Sequence, residues 1–247
     1  MINKSTIKYI QSLSTKKFRD EADAFVAEGP KVVRELMEGN IFACESVFCT
    51  MKGAAELSKH LADRLNERLN IIEDFELEKI SSLNTPNNML AVFQKKPVGK
   101  QPDFTGKLTL VLDDIQDPGN LGTIIRIADW FGIENIFCSE ATVDCYNAKV
   151  VQSTMASLGR VNVMYGSIEN LFSENDKIKK YAAVLGGEDV NRFGKIKEGF
   201  IIIGNESKGI SDAVLQFTSE KISINKKGNA ESLNAAVAAG IILFAVG

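Results

Sequence analysis

After residue 107 the chain alternates regularly between short apolar segments and helix-like segments. The strand-like segments are Leu108–Leu112, Asn135–Cys138, Val161–Tyr165, Tyr181–Leu185, Phe200–Ile203 and Lys221–Ile224. The helix-like segments are Leu121–Phe131, Asn147–Leu158, Ile168–Ser173 and Ser232–Val246. Repeated β-α units predict a parallel sheet, and a strand as apolar as Phe200–Ile203 is typical of one covered on both faces.

The residues before this alternation predict a separate, smaller α/β layer structure. We expect helices near Ile2–Leu13, Pro30–Gly39, Ala54–Leu69 and Glu76–Leu83, and strands near Phe25–Ala27, Ser46–Cys49, Ile71–Glu73 and Met89–Phe93. The stretch Gln94–Lys107 is polar and contains two prolines and two glycines, which is typical of a boundary between domains. We therefore predict a first domain at residues 1–94, a linker at 95–106 and a second domain at 107–247.

Composition excludes several classes of protein. No apolar run reaches the roughly 18 residues of a membrane span, so we expect a cytoplasmic protein with no membrane partner. None of the four cysteines belongs to a C-x-x-C pair, which argues against a zinc knuckle or a redox motif. The only histidine is His60, so a metal site and most hydrolytic mechanisms are disfavoured.

The net charge of −3 argues against a strongly basic nucleic-acid binder, but a whole-chain sum hides local charge. Met1–Arg19 contains five basic residues and no acidic one. Other candidate phosphate contacts are Lys95, Lys96 and Arg126. A solvated helix face explains the N-terminal stretch equally well, so both interpretations stay open.

Three polar loops follow predicted strands, at the edge of the sheet where ligands bind α/β proteins. They read DDIQDPGNLG from Asp113, GNESKG from Gly204 and GNAESLN from Gly228. Taken singly, each has an ordinary explanation, since Asn120 and Ser232 could cap helices, Arg126 could pair with Asp129, and the glycines could serve turns. Neither a phosphate loop nor a G-x-G-x-x-G pattern is present.

Taken together and in this order, the three loops resemble the motifs of the SpoU (TrmH-like) family of RNA ribose methyltransferases, a branch of the SPOUT superfamily. The matching runs are DPGNLGTIIR, GNESKG and ESLNAAVAAG, spread over Leu108–Gly247. The N-terminal segment is similar to the family's L30e-like substrate-binding domain, through IKYI, KKFR and FVAEG. The resemblance implies a C-terminal trefoil knot, which is rare among folds. It also implies S-adenosylmethionine as cofactor and a homodimer.

The resemblance implies a set of site residues. The catalytic set is Arg126, Glu206, Asn120, Ser232 and Asn234, and the cofactor-binding set is Gly204, Ile224 and Leu233. A guanidinium at position 126 suits phosphate and would stabilise a forming alkoxide, whereas its high pKa makes it a poor literal base. Methyl transfer needs aligned reactants and a route for the hydroxyl proton, and neither requires a histidine.

The third motif departs from the family pattern, in which a proline and a methionine usually follow the isoleucine. Here the run is Ile224-Asn225-Lys226-Lys227-Gly228, so the fixed dihedral of proline is missing. We expect the cofactor contact at Ile224 to be affected, and we hypothesise that the two lysines meet RNA phosphate.

These observations predict methylation of a ribose 2′-hydroxyl in RNA, with ribosomal RNA preferred because the first domain resembles those of rRNA-modifying members. Three alternatives stay open. The first is a tRNA 2′-O-ribose methyltransferase. The second is a non-catalytic RNA-binding protein on the same fold, which the altered third motif would explain. The third is an enzyme acting on a small metabolite.

Overall fold

The computed structural model describes residues 2–97, 99 and 101–247. Its strands are β1 (Ala24–Glu28), β2 (Cys44–Cys49), β3 (Leu69–Ile71), β4 (Met89–Gln94), β5 (Leu108–Asp113), β6 (Asn135–Ser139), β7 (Asn162–Gly166), β8 (Lys180–Asp189), β9 (Gly199–Gly204) and β10 (Glu220–Ser223). Its α-helices are α1 (Lys4–Ser12), α2 (Lys16–Ala22), α3 (Pro30–Glu38), α4 (Met51–Ala55), α5 (Lys59–Leu65), α6 (Asp74–Ile80), α7 (Pro118–Trp130), α8 (Ala148–Thr154), α9 (Ile168–Glu174), α10 (Asp212–Leu215) and α11 (Ala235–Val246). No helix among these residues is both long enough and apolar enough to cross a membrane.

Packing divides the chain into two compact units. The N-terminal unit comprises Met1–Gly99 and Asp144–Gly159, and the C-terminal unit comprises Lys100–Val143 and Arg160–Gly247. The domain boundaries drawn from the sequence remain a prediction, and the packing differs from them most clearly in residues 144–159. This segment carries α8, which the alternation of strands and helices had assigned to the second domain.

The reason for this difference is a set of long-range contacts that no local pattern signals. Helix α8 packs against β1, and the rings of Phe25 and Tyr146 lie 4.8 Å apart. Arg19, only 2% exposed, donates from Nη2 to Asp144 Oδ2 at 2.7 Å. Its Nη1 donates to the carbonyl oxygens of Leu13 and Ser14, each at 2.9 Å. The buried guanidinium is thus well hydrogen-bonded, as burial of a charge requires.

The N-terminal unit is built on a mixed four-stranded sheet with the order β1-β4-β2-β3. Strand β4 runs antiparallel to β1 and β2, and β3 runs parallel to β2. The sequence pattern predicts all four strands, with the third placed two residues too late, but gives no sign of α2. It also joined α4 and α5 into one helix, which the structure breaks where Ser58 caps α5 by accepting from Leu61 N at 3.3 Å.

The C-terminal unit contains a six-stranded sheet with the order β10-β8-β9-β5-β6-β7. Every pair of neighbouring strands is parallel. This confirms the predicted α/β class with a parallel sheet, whereas the trefoil knot remains a prediction. Because all six strands point the same way, the loops that follow β5, β9 and β10 leave from one edge of the sheet.

The central strands are β9 and β5, which pair in register from Leu108 with Gly199 to Asp113 with Gly204. Phe200, Ile201 and Ile202 in β9 are fully buried, as their apolar run predicted. A cluster of apolar side chains covers one face of this sheet, including Phe104, Phe172 and Phe200. This packed centre holds the ends of β5 and β9 in place, so the loops after them start from fixed points.

Candidate active site

The loop after β9 is shaped by a backbone contact that leaves no room for a side chain at Gly204. A Cβ built on Gly204 would lie 2.3 Å from the carbonyl carbon of Gly209. Asn205 and Gly209 exchange two backbone hydrogen bonds of 3.0 and 2.9 Å, and Gly209 has a φ of +72°. Gly204 is required because a Cβ would clash there, and Gly209 is favoured because its φ is positive. Residues 205–209 form a closed turn.

Two residues fasten this turn to the end of β5. The Asp113 carboxylate accepts from Ser211 N at 2.7 Å, and Asn205 Nδ2 donates to the carbonyl oxygen of Asp114 at 2.8 Å. The other side of the Asn205 amide accepts from the backbone N–H groups of Ser207 and Lys208. The turn that presents Glu206 is therefore held from both sides.

Asn120 connects all three loops through its side-chain amide. Its Nδ2 donates to Glu206 Oε1 at 2.5 Å, and its Oδ1 accepts from Asn234 Nδ2 at 2.7 Å. An ionised carboxylate only accepts hydrogen bonds, so the Nδ2 of Asn120 faces Glu206 and its Oδ1 is left for Asn234. Three residues from distant parts of the chain thus form one continuous chain of hydrogen bonds.

The helix caps differ from those that the local patterns suggested. Asp117, not Asn120, caps α7, and its carboxylate accepts from Asn120 N at 2.8 Å. Asn234, not Ser232, caps α11 by accepting from the N–H groups of Ala236 and Val237. Helix α11 accordingly begins at Ala235, three residues later than predicted, and Ser232 lies exposed in the loop before it.

Arg126 lies apart from this chain of hydrogen bonds. It is exposed on α7, six residues after Asn120, which places it about 120° around the helix axis from that side chain. The carboxylate of Asp129, which the spacing allowed as its partner, instead accepts from Arg160 Nε at 2.8 Å. Within the described part of the chain, Arg126 makes no hydrogen bond or ion pair, so its guanidinium is available to a ligand.

A cleft of about 960 Å³ opens between the loops after β9 and β10. Gly204, Ile224 and Leu233, the three predicted cofactor contacts, all line it, as do Glu206 and Ser232. Its wall mixes apolar side chains with polar groups of the two loops, and its volume lies within the usual range for small-molecule sites. In residues 2–97, 99 and 101–247, no group of three or more His, Cys, Asp or Glu side chains could hold a metal ion.

The basic stretch at the N-terminus is less available than its sequence suggested. Arg19 is buried against Asp144 and cannot meet RNA, and Lys16 and Lys17 pair with Asp20 and Glu21. Lys95 also pairs with Asp20, at 2.5 Å. Burial lowers the pKa of Lys96 from its ordinary value. Lys4, Lys8, Lys226 and Lys227 are exposed.

Some residues that organise the site were visible in the sequence but had no assigned role. Asp113 and Asn205 stood within the quoted loops, yet nothing local indicates that they bond to groups 98 and 91 residues away, respectively. The pairing of Asn225 with Asp189 was not predicted either. These contacts depend on strand order, which one sequence does not reveal.

Comparison with known proteins identifies both parts of the chain. Residues 107–244 match the model of the SpoU rRNA Methylase family, and residues 4–91 match an MRM3-like substrate binding domain. The first match alone covers more than half of the 247 residues. It includes all three loops and confirms the family that they suggested.

Relatives resemble the chain over nearly its whole length. The 23S rRNA (guanosine(2553)-2'-O)-methyltransferase RlmP of Bacillus subtilis (strain 168) is 27% identical over 241 residues, which is 96% of this chain and 94% of that protein. A Porphyromonas gingivalis structure assigned to the TrmH family of RNA methyltransferases is 31% identical, with a TM-score of 0.86 over 99% of this chain and 98% of that one. An AdoMet-bound rRNA methyltransferase from Sinorhizobium meliloti is 27% identical, with a TM-score of 0.85 over 99% and 95%. Sequence motifs, parallel sheet and clustered loops agree, and this chain belongs to the SpoU rRNA methylase family.

Proposed function

We propose that this chain is an S-adenosylmethionine-dependent methyltransferase that modifies a ribose 2′-hydroxyl in ribosomal RNA. The observation that carries the proposal is the side-chain amide of Asn120, which joins Glu206 and Asn234 across the three family motifs. Glu206 also lines the cleft that would hold the cofactor. Two relatives of this chain are 23S rRNA 2'-O-methyltransferases, and two related structures contain AdoMet.

The cleft fits S-adenosylmethionine in size and in chemistry. Its volume of about 960 Å³ lies near the upper end of the usual range for small-molecule sites, which leaves room for a ligand of this size. Ile224 and Leu233 offer apolar contact for the adenine ring, and the backbone around Gly204 offers hydrogen bonds. When bound, the cofactor would supply an electrophilic methyl group on its sulfonium.

Two side chains would prepare the ribose hydroxyl. Glu206 uses Oε1 to accept from Asn120, so its Oε2 can accept a hydrogen bond from the hydroxyl and hold the proton as it leaves. Asn120 and Asn234 add no charge and fix the carboxylate in one orientation. Arg126 would bind a neighbouring phosphate through its bidentate fork and stabilise negative charge on the nucleophilic oxygen. We place Ser232 beside the substrate rather than at a helix end.

Ribosomal RNA is preferred over tRNA because of the N-terminal unit. Residues 4–91 match a substrate binding domain of the MRM3-like type. The 23S rRNA enzymes from Bacillus subtilis and Streptomyces viridochromogenes align over 96% and 78% of this chain. Exposed Lys4 and Lys8 on α1 would contribute to an RNA-facing surface.

A homodimer is part of the proposal. Val237, Ile241 and Phe244 follow each other at helical spacing on α11 and are exposed, Phe244 by 79%. Trp130 at the end of α7 is 85% exposed, and α7 packs against α11. Apolar groups concentrated in this way are typical of a protein interface. The four cysteines form no disulfide within the described residues, which is compatible with the reducing cytoplasm, where we place the protein.

The dimer would also place Arg126 close to the second subunit. Arg126 and Trp130 are four residues apart and therefore lie on the same side of α7. A second copy covering Trp130 would approach Arg126 as well, so we propose that the guanidinium acts near the subunit boundary.

Methyl incorporation from labelled S-adenosylmethionine into rRNA from a strain lacking the gene tests the proposal. The wild-type chain should label this RNA, while Arg126→Ala should lose nearly all incorporation and keep its cofactor affinity in calorimetry. Lys197→Ala is the matched control, because Lys197 is exposed before β9, at the opposite edge of the sheet. Wild-type activity in Arg126→Ala would refute the role of that residue.

The same measurements separate the alternatives. Labelling of tRNA but not of rRNA would show that the substrate is tRNA. A chain that binds RNA but does not bind S-adenosylmethionine at millimolar concentration would be a non-catalytic RNA-binding protein. Incorporation into small molecules only would indicate a metabolic enzyme.

A further inference from the structure

Ile224 lines the cleft and directly follows β10, so it lies where the cleft meets the sheet. Both of its neighbours are tied to the end of β8. Ser223 Oγ donates to the carbonyl oxygen of Gly187 at 2.8 Å, and Asn225 Nδ2 donates to Asp189 Oδ2. Ile224 is therefore pinned on both sides to the same neighbouring strand.

The strand that receives these bonds is itself well anchored. Strands β10 and β8 pair in parallel, with Ser223 opposite Asp189. They approach so closely at Gly187 that a Cβ there would lie 2.8 Å from the backbone of Lys221. The second oxygen of Asp189 accepts from the backbone N and the Nδ2 of Asn191, at 3.0 and 2.8 Å. Both oxygens of the Asp189 carboxylate thus have partners, and its orientation is set.

From this arrangement we infer that Asn225 and Asp189 form a positioning pair that fixes Ile224 and this wall of the cleft for the cofactor. The inference rests on the proposed function. In this chain asparagine stands where the SpoU pattern has a proline, and a hydrogen bond to a neighbouring strand restrains the loop that proline would restrain through its ring. Because the acceptor is a carboxylate, this bond is of the stronger, charge-assisted kind.

The pair matters because it holds one end of an exposed loop, whose other end is held by the bond from Asn234 to Asn120. Residues 225–234 are exposed throughout. Without a restraint at its start, the loop would have to be ordered when the cofactor binds, and affinity would fall by the free energy of that ordering. The inference therefore predicts its largest effect on cofactor binding, because Ile224 lines the cleft, and a smaller effect on RNA affinity through Lys226 and Lys227.

Exchanging the two side chains gives a sharp test. Asn225→Asp places a second carboxylate against Asp189 and turns the hydrogen bond into a repulsion. Asp189→Asn combined with Asn225→Asp restores a donor and an acceptor in reversed order, while the Oδ1 of the new asparagine can still accept from Asn191. Four full-length proteins are compared: wild type, each single variant and the double variant. The readouts are calorimetry with S-adenosylmethionine, the KM and kcat of methyl transfer, and the melting temperature.

The expected pattern has three parts. Asn225→Asp raises the Kd and the KM for S-adenosylmethionine by about tenfold, and Asp189→Asn raises them by about threefold. The double variant returns to within about threefold of wild type. The kcat at saturating cofactor stays within about twofold of wild type throughout, and the KM for RNA rises less than the KM for S-adenosylmethionine, which a general loss of structure would not allow.

Each other outcome overturns the inference. Asn225→Asp with wild-type cofactor affinity, or a double variant no better than Asn225→Asp, shows that the pair does not position the cleft. A lower melting temperature together with a lower kcat and an equal rise in the KM values for S-adenosylmethionine and RNA shows a merely structural role. A wild-type chain that binds no S-adenosylmethionine refutes the proposed function itself, which distinguishes that failure from failure of the pair.

Discussion

Replacing Asn120 by aspartate changes one group at the centre of the site and leaves its shape almost unaltered. In the wild type, Asn120 Nδ2 donates to Glu206 Oε1 at 2.5 Å. In Asn120→Asp, an oxygen takes the place of this nitrogen, so two carboxylates face each other at hydrogen-bond distance. The bond from Asn234 Nδ2 to the retained Oδ1 can persist. The perturbation therefore acts almost wholly on the contact with Glu206.

The size of the effect follows from charge and burial. Residues 120 and 206 are both half-buried, and two unit charges roughly 4 Å apart repel by about 4 kcal/mol at an effective dielectric constant of about 20. Protonating one carboxyl relieves this repulsion, and near pH 7 that costs about 3.7 kcal/mol from an ordinary glutamate pKa. Both routes predict a loss of about 4 kcal/mol in the free energy of unfolding, which is large against a typical total of about 5–15 kcal/mol.

The pH dependence gives the decisive signature. Repulsion raises the folded pKa of one carboxyl of the pair above its unfolded value, so the stability of the variant is highest below the unfolded pKa and is lost as pH rises through the folded pKa. Urea unfolding should show a destabilisation that is roughly 1–2 kcal/mol larger at about pH 8 than at about pH 6. Asn120→Leu is the control, because it removes the hydrogen bonds without adding charge and should lose a similar amount at both values.

The rate of methyl transfer should also fall in Asn120→Asp, because the Glu206 carboxylate would be displaced. Displacing the Glu206 carboxylate from the hydroxyl by about 1 Å costs about a hundredfold in rate, measured as methyl incorporation at saturating cofactor. Two results would contradict this prediction: Asn120→Asp unfolds with the same free energy as wild type at both pH values, or it methylates RNA at the wild-type rate. Either result would mean that Asn120 and Glu206 are not coupled.

Two further predictions follow from the exposed groups. Trp130→Lys combined with Phe244→Glu should convert a dimer into a folded monomer in analytical ultracentrifugation, because both side chains are exposed and apolar; an unchanged sedimentation coefficient would place any interface elsewhere. Lys226→Gln combined with Lys227→Gln should weaken RNA binding and flatten the slope of log affinity against log salt by about 1.4, the value expected for two contacts to single-stranded phosphate. Unchanged affinity and slope would remove the two lysines from the RNA-binding surface.

Local sequence pattern predicts most of the helices and strands, and the wrong predictions have physical causes. The apolar run Phe200–Ile203 predicted a buried central strand, and the structure confirms it as β9. The predicted start of the final helix, at Ser232, is too early. Ser232 and Asn234 are both good capping residues, and only the three-dimensional geometry shows that Asn234 is the cap. The basic stretch at the N-terminus looked solvated, but the burial of Arg19 depends on Asp144, 125 residues away.

The motifs and their order predicted the family and named Asn120, Glu206 and Asn234 together. Their contact could not be derived from spacing, because it depends on how β5 and β9 pair and on where α11 begins. The same limit hid the roles of Asp113 and Asn205. The structure also separated Arg126 from the other nominated residues, which the motif alone had grouped with them.

The fold class, the family and the chemical types of the site residues could all be predicted from the amino-acid order, because periodicity and motif order are properties of the chain before it folds. Which of those residues meet depends on folding, since the parallel order of the strands brings three distant loops to one edge of the sheet. Folding also decides which charges are available. A buried guanidinium and an exposed one are the same letter in the sequence, and only the packing around Arg19 and Arg126 tells them apart.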